Sequence, residues 1–121
     1  MQYLRIYADD DGESHVEALS ASYAPVDYAP PATPFDVSPP VGATSYVMVR
    51  FPVGWVGALH PTPRRQIFVV QSGAMEGTTT DGMVLTLRAG DMLLMEDVTG
   101  RGHSSRVVGD GEVLGLMVHL E

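Results

Sequence analysis

The stretch 60–70, with the sequence HPTPRRQIFVV, carries the residue types best suited to chemistry in this chain. Alternate side chains of a strand share a face. One face of this stretch is polar at its start and apolar at its end, and it holds His60, Thr62, Arg64, Gln66, Phe68 and Val70. A buried polar group costs about 1–3 kcal/mol unless it finds a partner. The pattern therefore predicts a pocket wall, with the apolar end inside and the polar end at the mouth.

A second imidazole, that of His103, follows the loop 96–102. Imidazole suits proton transfer near neutral pH, so His103 is a candidate general base. Glu96 is a candidate acid, since a partly apolar mouth would raise its pKa. Arg64 is the candidate clamp for a carboxylate or an enolate, through a bidentate contact. Two other interpretations of His60 and His103 stay open: a hydrogen-bonded pair without metal, or exposed side chains.

Short β-forming runs separated by turn signals make up the chain from residue 45 onward. The 13 Gly and 9 Pro residues favour turns over helices. Strands at this spacing, with no long helical pattern, predict an all-β antiparallel barrel or sandwich. Within the run 45–51, Tyr46 and Met48 alternate, and they are predicted to line the pocket or fill the core. Nearer the N-terminus, residues 1–7 predict a strand, and 14–23 a short helix or a loose strand.

Six of the nine prolines lie between residues 25 and 40. Such a segment is neither a helix nor a central strand. We expect one domain in two parts: residues 1–44 form an N-terminal strand and a proline-rich arm packed on the barrel, and residues 45–121 form the barrel core. The arm is also a candidate clasp for a partner subunit, with Tyr28 and Phe35 as its apolar contacts.

Two partial motifs resemble those of the cupin superfamily. In the first motif, His60 stands at the position of the first His, Thr62 at the second His, Gln66 at the Glu, and Gly73 closes the motif six residues later. In the second motif, Gly90 opens the pattern and the run 100–103, Gly-Arg-Gly-His, closes it. The match covers about residues 54–108. More loosely, the HPxPRRQ stretch is similar to a subgroup of small single-domain cupins. The resemblance implies a double-stranded β-barrel of the jelly-roll type.

The same resemblance implies one divalent metal ion, Fe, Mn, Zn or Ni. Its ligands would be His60, Gln66 and His103. Because Thr62 and Gln66 replace a His and a Glu of the family pattern, this set is neutral before the metal arrives. Glu96 and Asp97 are candidates for an additional carboxylate ligand, if the loop geometry allows it. A pocket without metal is the alternative.

The function implied is that of a cupin acting on a small oxygenated or carboxylated metabolite. Isomerisation, cyclisation, dehydration and metal-dependent oxidation are the candidate reactions. The alternatives are a non-catalytic binding or sensor cupin and a structural dimer subunit whose pocket has no function. The family resemblance also implies a homodimer.

Charge and composition exclude several other functions. The formal net charge is −8, and all seven basic residues are Arg. Nucleic acid and anionic membranes are poor partners for such a surface, because phosphate binding needs clustered basic charge. Lysine Schiff-base chemistry and cysteine chemistry are excluded, since the chain has neither residue. Without a signal-peptide pattern at the N-terminus, a cytoplasmic location is expected.

Overall fold

The computed structural model describes all 121 residues and consists of strands, turns and loops. No helical segment has the length and hydrophobicity needed to span a bilayer. The strands are β1 Gln2–Ala8, β2 Ser14–Ser20, β3 Ala24–Val26, β4 Phe35–Val37, β5 Ala43–Phe51, β6 Val56–His60, β7 Gln66–Ser72, β8 Ala74–Thr79, β9 Val84–Arg88, β10 Met92–Glu96, β11 His103–Val108 and β12 Val113–Leu120. The all-β prediction is confirmed, and the segment after residue 14 forms strand β2 rather than a helix.

Two large sheets form the sandwich-like barrel. The six-stranded sheet has the order β2-β1-β10-β7-β12-β5, and the four-stranded sheet has the order β6-β11-β8-β9. Most neighbouring strands are antiparallel, but β1 pairs with β10 in parallel, with Leu4 opposite Leu93. This pairing joins the N-terminal strand to the centre of the larger sheet.

The hydrophobic core lies between the two sheets, because each strand alternates between inward and outward side chains. On β7, Gln66, Phe68 and Val70 are buried, whereas Ile67 and Val69 are only partly covered. The buried hydrophobic cluster consists of Ile6, Phe68, Val70, Met75, Leu85, Leu87, Leu93, Met95, Val107 and Val113. The predicted inward face of the stretch 66–70 is therefore the face that the fold buries.

The proline-rich arm, which the sequence predicts to pack on the barrel, forms a small sheet of its own. Strands β3 and β4 form a separate two-stranded sheet that pairs with neither large sheet. Every residue from 22 to 48 is exposed except Val37. Proline accounts for this separation in part, because it removes the backbone donors that would join the arm to a sheet.

A histidine between two carboxylates connects the β1–β2 turn to the β8–β9 turn. His15 Nε2 lies 2.6 Å from Asp9 Oδ2, and its Nδ1 lies 3.0 Å from Asp81 Oδ2. Hydrogen bonding to Asp9, and then to Asp81, raises the pKa of His15 above its ordinary value of 6.5. The pKa of Asp9 is lowered, chiefly by the bond to His15, and that of Asp81 chiefly by a bond from Thr79. The three groups therefore stabilise one another in their charged forms.

We expect this cluster to make the free energy of unfolding depend on pH. The raised pKa of His15 gives stability that is complete below pH 6.5 and lost as the pH rises through the folded-state value. The lowered pKa values of Asp9 and Asp81 give stability that is present above pH 3.8 and lost as the pH falls through theirs. The Tm difference between wild type and His15→Asn, measured by differential scanning fluorimetry, should be largest between these limits and shrink at alkaline pH. Asp10→Asn, in the same turn, is the control. A Tm difference that stays constant across this range would contradict the expectation.

Candidate functional site

A cavity of about 370 Å³ opens between the two sheets. Apolar side chains form its interior: Ile6, Phe51, Trp55, Phe68, Met75, Leu85, Leu87, Leu93, Met95 and Met117. Polar and ionisable side chains also line it, namely His60, Thr62, Arg64, Gln66, Ser105, His103 and His119. A concave apolar cavity with a few convergent polar groups is the usual form of a small-molecule site.

The structure brings most of the predicted site residues to this cavity. The two histidines meet because β6 and β11 pair with His103 opposite His60. Their ring centroids lie 5.4 Å apart. His103 is buried, whereas His60 is exposed at the mouth. Thr62, Arg64, Gln66 and Phe68 line the same cavity, in agreement with the alternation along β7 and the residues before it.

A buried hydrogen-bonded chain joins Thr62, Asp97 and His103. Asp97 has no exposed surface, and Thr62 is 1% exposed. Thr62 Oγ1 donates to Asp97 Oδ1 at 2.6 Å, and His103 Nδ1 lies 2.6 Å from Asp97 Oδ2. The backbone N–H of Thr62 also donates to the carbonyl of Asp97 at 3.0 Å. Both carboxylate oxygens are thus occupied, as a buried charge requires.

The chain of bonds orients the His103 ring. An ionised carboxylate only accepts hydrogen bonds, so the proton of a neutral His103 lies on Nδ1 and is donated to Asp97. The Nε2 atom is then left with its lone pair, and the ring lines the cavity. This is the arrangement that prepares an imidazole to act as a base toward a bound molecule.

Glu96 does not serve the cavity, contrary to its prediction as a catalytic acid. Leu93 and Met95 are buried, so strand alternation directs Glu96 to the outer face of the sheet. There it bonds Arg5 at 2.6 Å and also bonds Arg65. Burial alone would raise the pKa of Glu96, but the bonds and charges of Arg65 and Arg5 outweigh it and lower that pKa below 4.5. Asp97, the next residue, is the carboxylate that points inward.

Tyr46 and Met48 were predicted to line the cavity, and the structure places both on the outside. Their side chains are 65% and 80% exposed. Val49 and Phe51 pack against the core instead, and Phe51 contacts Phe68 at a ring-centroid distance of 5.9 Å. Because side chains alternate along β5, Tyr46 and Met48 must take the opposite face.

His119 also lines the cavity, at its mouth. Its Nδ1 lies 2.8 Å from Ser45 Oγ and 3.3 Å from Arg64 Nη1. The signal that could have found it is the alternation on β12, where Met117 also faces the cavity. Arg64 has no carboxylate within 4.0 Å, although Arg5, Arg50, Arg65, Arg101 and Arg106 each have one.

The donor atoms at the mouth do not fit the metal centre that the cupin resemblance implies. His60 Nδ1 lies 2.6 Å from the carbonyl oxygen of Ala58, and Gln66 Nε2 lies 3.8 Å from Met95 Sδ. What remains is one free nitrogen on each of His60 and His103, with one amide oxygen. No group of three or more His, Cys, Asp or Glu side chains is placed to hold a metal ion. The carboxylate beside His103, that of Asp97, already accepts a hydrogen bond on each oxygen, from Thr62 and from His103.

Comparisons with known proteins identify the architecture. No protein-family model matches the sequence, and no curated protein matches it. The cupin domain of Cnp3 from Schizosaccharomyces pombe superposes with a TM-score of 0.51 and 14% identity, over 89% of this chain and 73% of that one. Protein NMB1881 from Neisseria meningitidis gives a TM-score of 0.45 and 17% identity, over 63% of this chain and 72% of that one. The two sheets, the cavity between them and the likeness to the Cnp3 domain together identify the chain as a barrel with the cupin fold.

Proposed function

We propose that this cupin barrel binds a small carboxylated or oxygenated metabolite and that His103 transfers a proton on it. The observation that carries the proposal is the buried chain Thr62–Asp97–His103. A fully buried carboxylate is costly to place, and a structural hydrogen bond could be made by neutral groups at lower cost. The choice of Asp97 at this position is explained by a need to orient and stabilise an imidazole that gains a proton.

The chemistry follows from the atoms that face the ligand. His103 Nε2 removes a proton from a carbon or hydroxyl of the ligand, and the resulting imidazolium is stabilised by Asp97 through Nδ1–H. The same proton is returned to a different atom in an isomerisation, or to a leaving hydroxyl in a dehydration. Both reactions balance without an oxidant or a reductant. Thr62 contributes by holding Asp97 in place.

The substrate class is supported by the one unpaired arginine at the mouth. Arg64 lies beside His119 and has no carboxylate partner in a chain with fifteen acidic residues. Its guanidinium can bind a ligand carboxylate by two parallel hydrogen bonds. The apolar interior then receives the rest of the molecule, so the best ligand has one anionic end and a hydrophobic body.

Deuterium exchange tests the catalytic part of the proposal without a known substrate. A panel of small oxo- and hydroxycarboxylic acids with aliphatic or aromatic bodies is incubated with the protein in D2O, and the loss of C–H signals is followed by proton NMR. We expect one or more compounds to exchange in wild type, and His103→Gln to slow that exchange by about 10²–10⁴-fold. His15→Gln, outside the cavity, should exchange at the wild-type rate.

The same panel separates the alternatives. Arg64→Ala should weaken binding of the carboxylates, measured by calorimetry, by about 1.5–3 kcal/mol, whereas Arg88→Ala should not. Binding without exchange of any compound would favour a non-catalytic binding cupin.

Adding Fe, Mn, Zn or Ni to chelator-treated protein tests whether proton exchange requires a metal ion. We expect exchange to be independent of these ions, and activity that appears only with one of them would overturn the proposal.

A further inference from the structure

Three histidine side chains line the cavity, and their hydrogen-bond partners determine where each neutral ring carries its proton. The Nδ1 atom of His60 lies 2.6 Å from the carbonyl oxygen of Ala58. The Nδ1 atom of His103 lies 2.6 Å from Asp97 Oδ2. Carbonyl and ionised carboxylate oxygens only accept hydrogen bonds, so both rings carry their proton on Nδ1. The Nε2 atoms of these two rings are therefore acceptors, which can take a proton but have none to give.

His119 differs from the other two, because its partner at Nδ1 is a donor. Arg64 Nη1 lies 3.3 Å from His119 Nδ1, and a guanidinium has N–H donors and no acceptor. The Nδ1 atom must therefore accept, and the proton of the neutral ring lies on Nε2. The hydroxyl of Ser45, 2.8 Å from the same nitrogen, can donate to it as well. Of the three histidines in the cavity, His119 is thus the one with an N–H at Nε2.

The fold places this donor and the base on opposite walls of the cavity. His103 lies on β11 of the four-stranded sheet. His119 lies on β12 of the six-stranded sheet, opposite Gln66 of β7. A molecule bound between the sheets can therefore meet the Nε2 lone pair of His103 on one side and the Nε2–H of His119 on the other.

We propose that His119 is a second catalytic residue, which polarises a carbonyl group of the ligand; this inference rests on the proton transfer proposed above. His103 Nε2 removes the proton from the carbon beside the carbonyl. The electron pair of that C–H bond forms a carbon–carbon double bond, and the π pair of the carbonyl moves to its oxygen. The Nε2–H of His119 donates a hydrogen bond to this oxygen as its negative charge develops, a task that suits a neutral imidazole. Return of the proton completes the reaction without an oxidant or a reductant.

Arg64 narrows the class of ligand, because it bonds His119 directly. One of its N–H groups is used on His119, and the others remain for a ligand carboxylate. The carboxylate and the polarised carbonyl are therefore held by neighbouring side chains. The ligand that suits this pair is an oxo acid whose carbonyl lies within a few bonds of its carboxylate, rather than a hydroxy acid.

Nitrogen-15 NMR tests the positions of the protons without any ligand. Protein labelled with nitrogen-15 histidine is studied at alkaline pH, where imidazole is neutral, and long-range proton–nitrogen correlations show which nitrogen carries hydrogen. The variants His103→Gln and His119→Phe identify each signal by its loss. We expect hydrogen on Nδ1 of His103 and on Nε2 of His119. Hydrogen on Nδ1 of His119 would overturn the inference.

Proton exchange in D2O tests the catalytic role. His119→Phe keeps an aromatic ring but has no N–H, so it should slow the exchange of an oxo acid at saturation by about 10²–10³-fold. The affinity for the same acid, measured by calorimetry, should stay at the wild-type value, because Arg64 still holds the carboxylate. His119→Gln has an amide N–H and should recover part of the rate. His15→Gln, outside the cavity, is the control.

The possible results distinguish this inference from the proposed function. Exchange that is lost in His103→Gln but continues at the wild-type rate in His119→Phe would overturn the role of His119 alone. Equal losses of rate and affinity in His119→Phe would also overturn it, since His119 would then be a binding residue. If wild type exchanged none of the acids, both proposals would be wrong.

Discussion

Replacing Asp97 by alanine should lower the free energy of unfolding by about 3–5 kcal/mol. The substitution leaves Thr62 Oγ1 and His103 Nδ1 without their partner, in a region where all three residues are buried. Each unsatisfied buried group costs about 1–3 kcal/mol, and a small cavity adds to the loss. This expectation depends only on the hydrogen bonds from Thr62 and His103 to Asp97, and it requires no knowledge of the ligand.

Urea denaturation followed by circular dichroism measures the effect. Asp110→Ala is the control, because Asp110 is exposed in the turn between β11 and β12 and should change stability by less than about 0.5 kcal/mol. Asp97→Asn keeps the shape but replaces one of the two acceptor oxygens by an NH2 group, so it satisfies only one of Thr62 Oγ1 and His103 Nδ1 and should fall between wild type and Asp97→Ala. If Asp97→Ala were as stable as Asp110→Ala, the hydrogen bonds from Thr62 and His103 to Asp97 would not stabilise the fold.

Substituting Gly102 by alanine should have the second large effect. Gly102 has φ of +76°, and a Cβ atom there would lie 2.0 Å from the carbonyl oxygen of His60 and 2.2 Å from its carbon. These are backbone atoms of β6, so the contact is relieved only by moving the strand that carries His60. We expect a loss of stability of about 4 kcal/mol or more.

Gly109→Ala supplies a closely matched comparison. Gly109 has φ of +79°, and a Cβ atom there meets no atom within 4 Å. Its substitution therefore incurs only the left-handed backbone cost, about 1–2 kcal/mol. Urea denaturation of both variants separates that cost from the steric one. If the two variants lost equal stability, the close approach between Gly102 and β6 would not matter to the fold.

Sequence patterns predicted β7 well because its two faces differ. Gln66, Phe68 and Val70 can be assigned to one face because that face is polar at its start, from His60 onward, and apolar at its end. On β7 the sequence therefore shows which side chains point inward and form the wall of the cavity.

On β5 and β10, the sequence does not distinguish the inner face from the outer face. On β5, Tyr46, Val47, Met48 and Val49 are all apolar, because the outer face is uncovered and apolar as well. On β10, the run 92–95 is apolar throughout. When both faces of a strand are apolar, the sequence does not show which face is buried. For this reason the sequence predicts Tyr46 and Met48 inside the barrel, whereas they lie outside. It also favours Glu96 as the catalytic carboxylate, whereas Asp97 is the one that points inward. The contact between Asp97 and Thr62 joins residues 35 positions apart, which no local pattern reveals.

The parallel pairing of β1 with β10 has a consequence for how the chain reaches this structure. Leu4 must find Leu93, almost ninety residues later in the sequence, before the six-stranded sheet is continuous. Closing so long a loop carries an entropic cost that is repaid only after both strands are in place. During synthesis, β1 and its hairpin partner β2 cannot pair with β10 until β10 has emerged, when nearly four-fifths of the chain has been made. The six-stranded sheet therefore forms late in synthesis, and the folding of the barrel belongs to the slow range of roughly milliseconds to seconds that β-rich domains show.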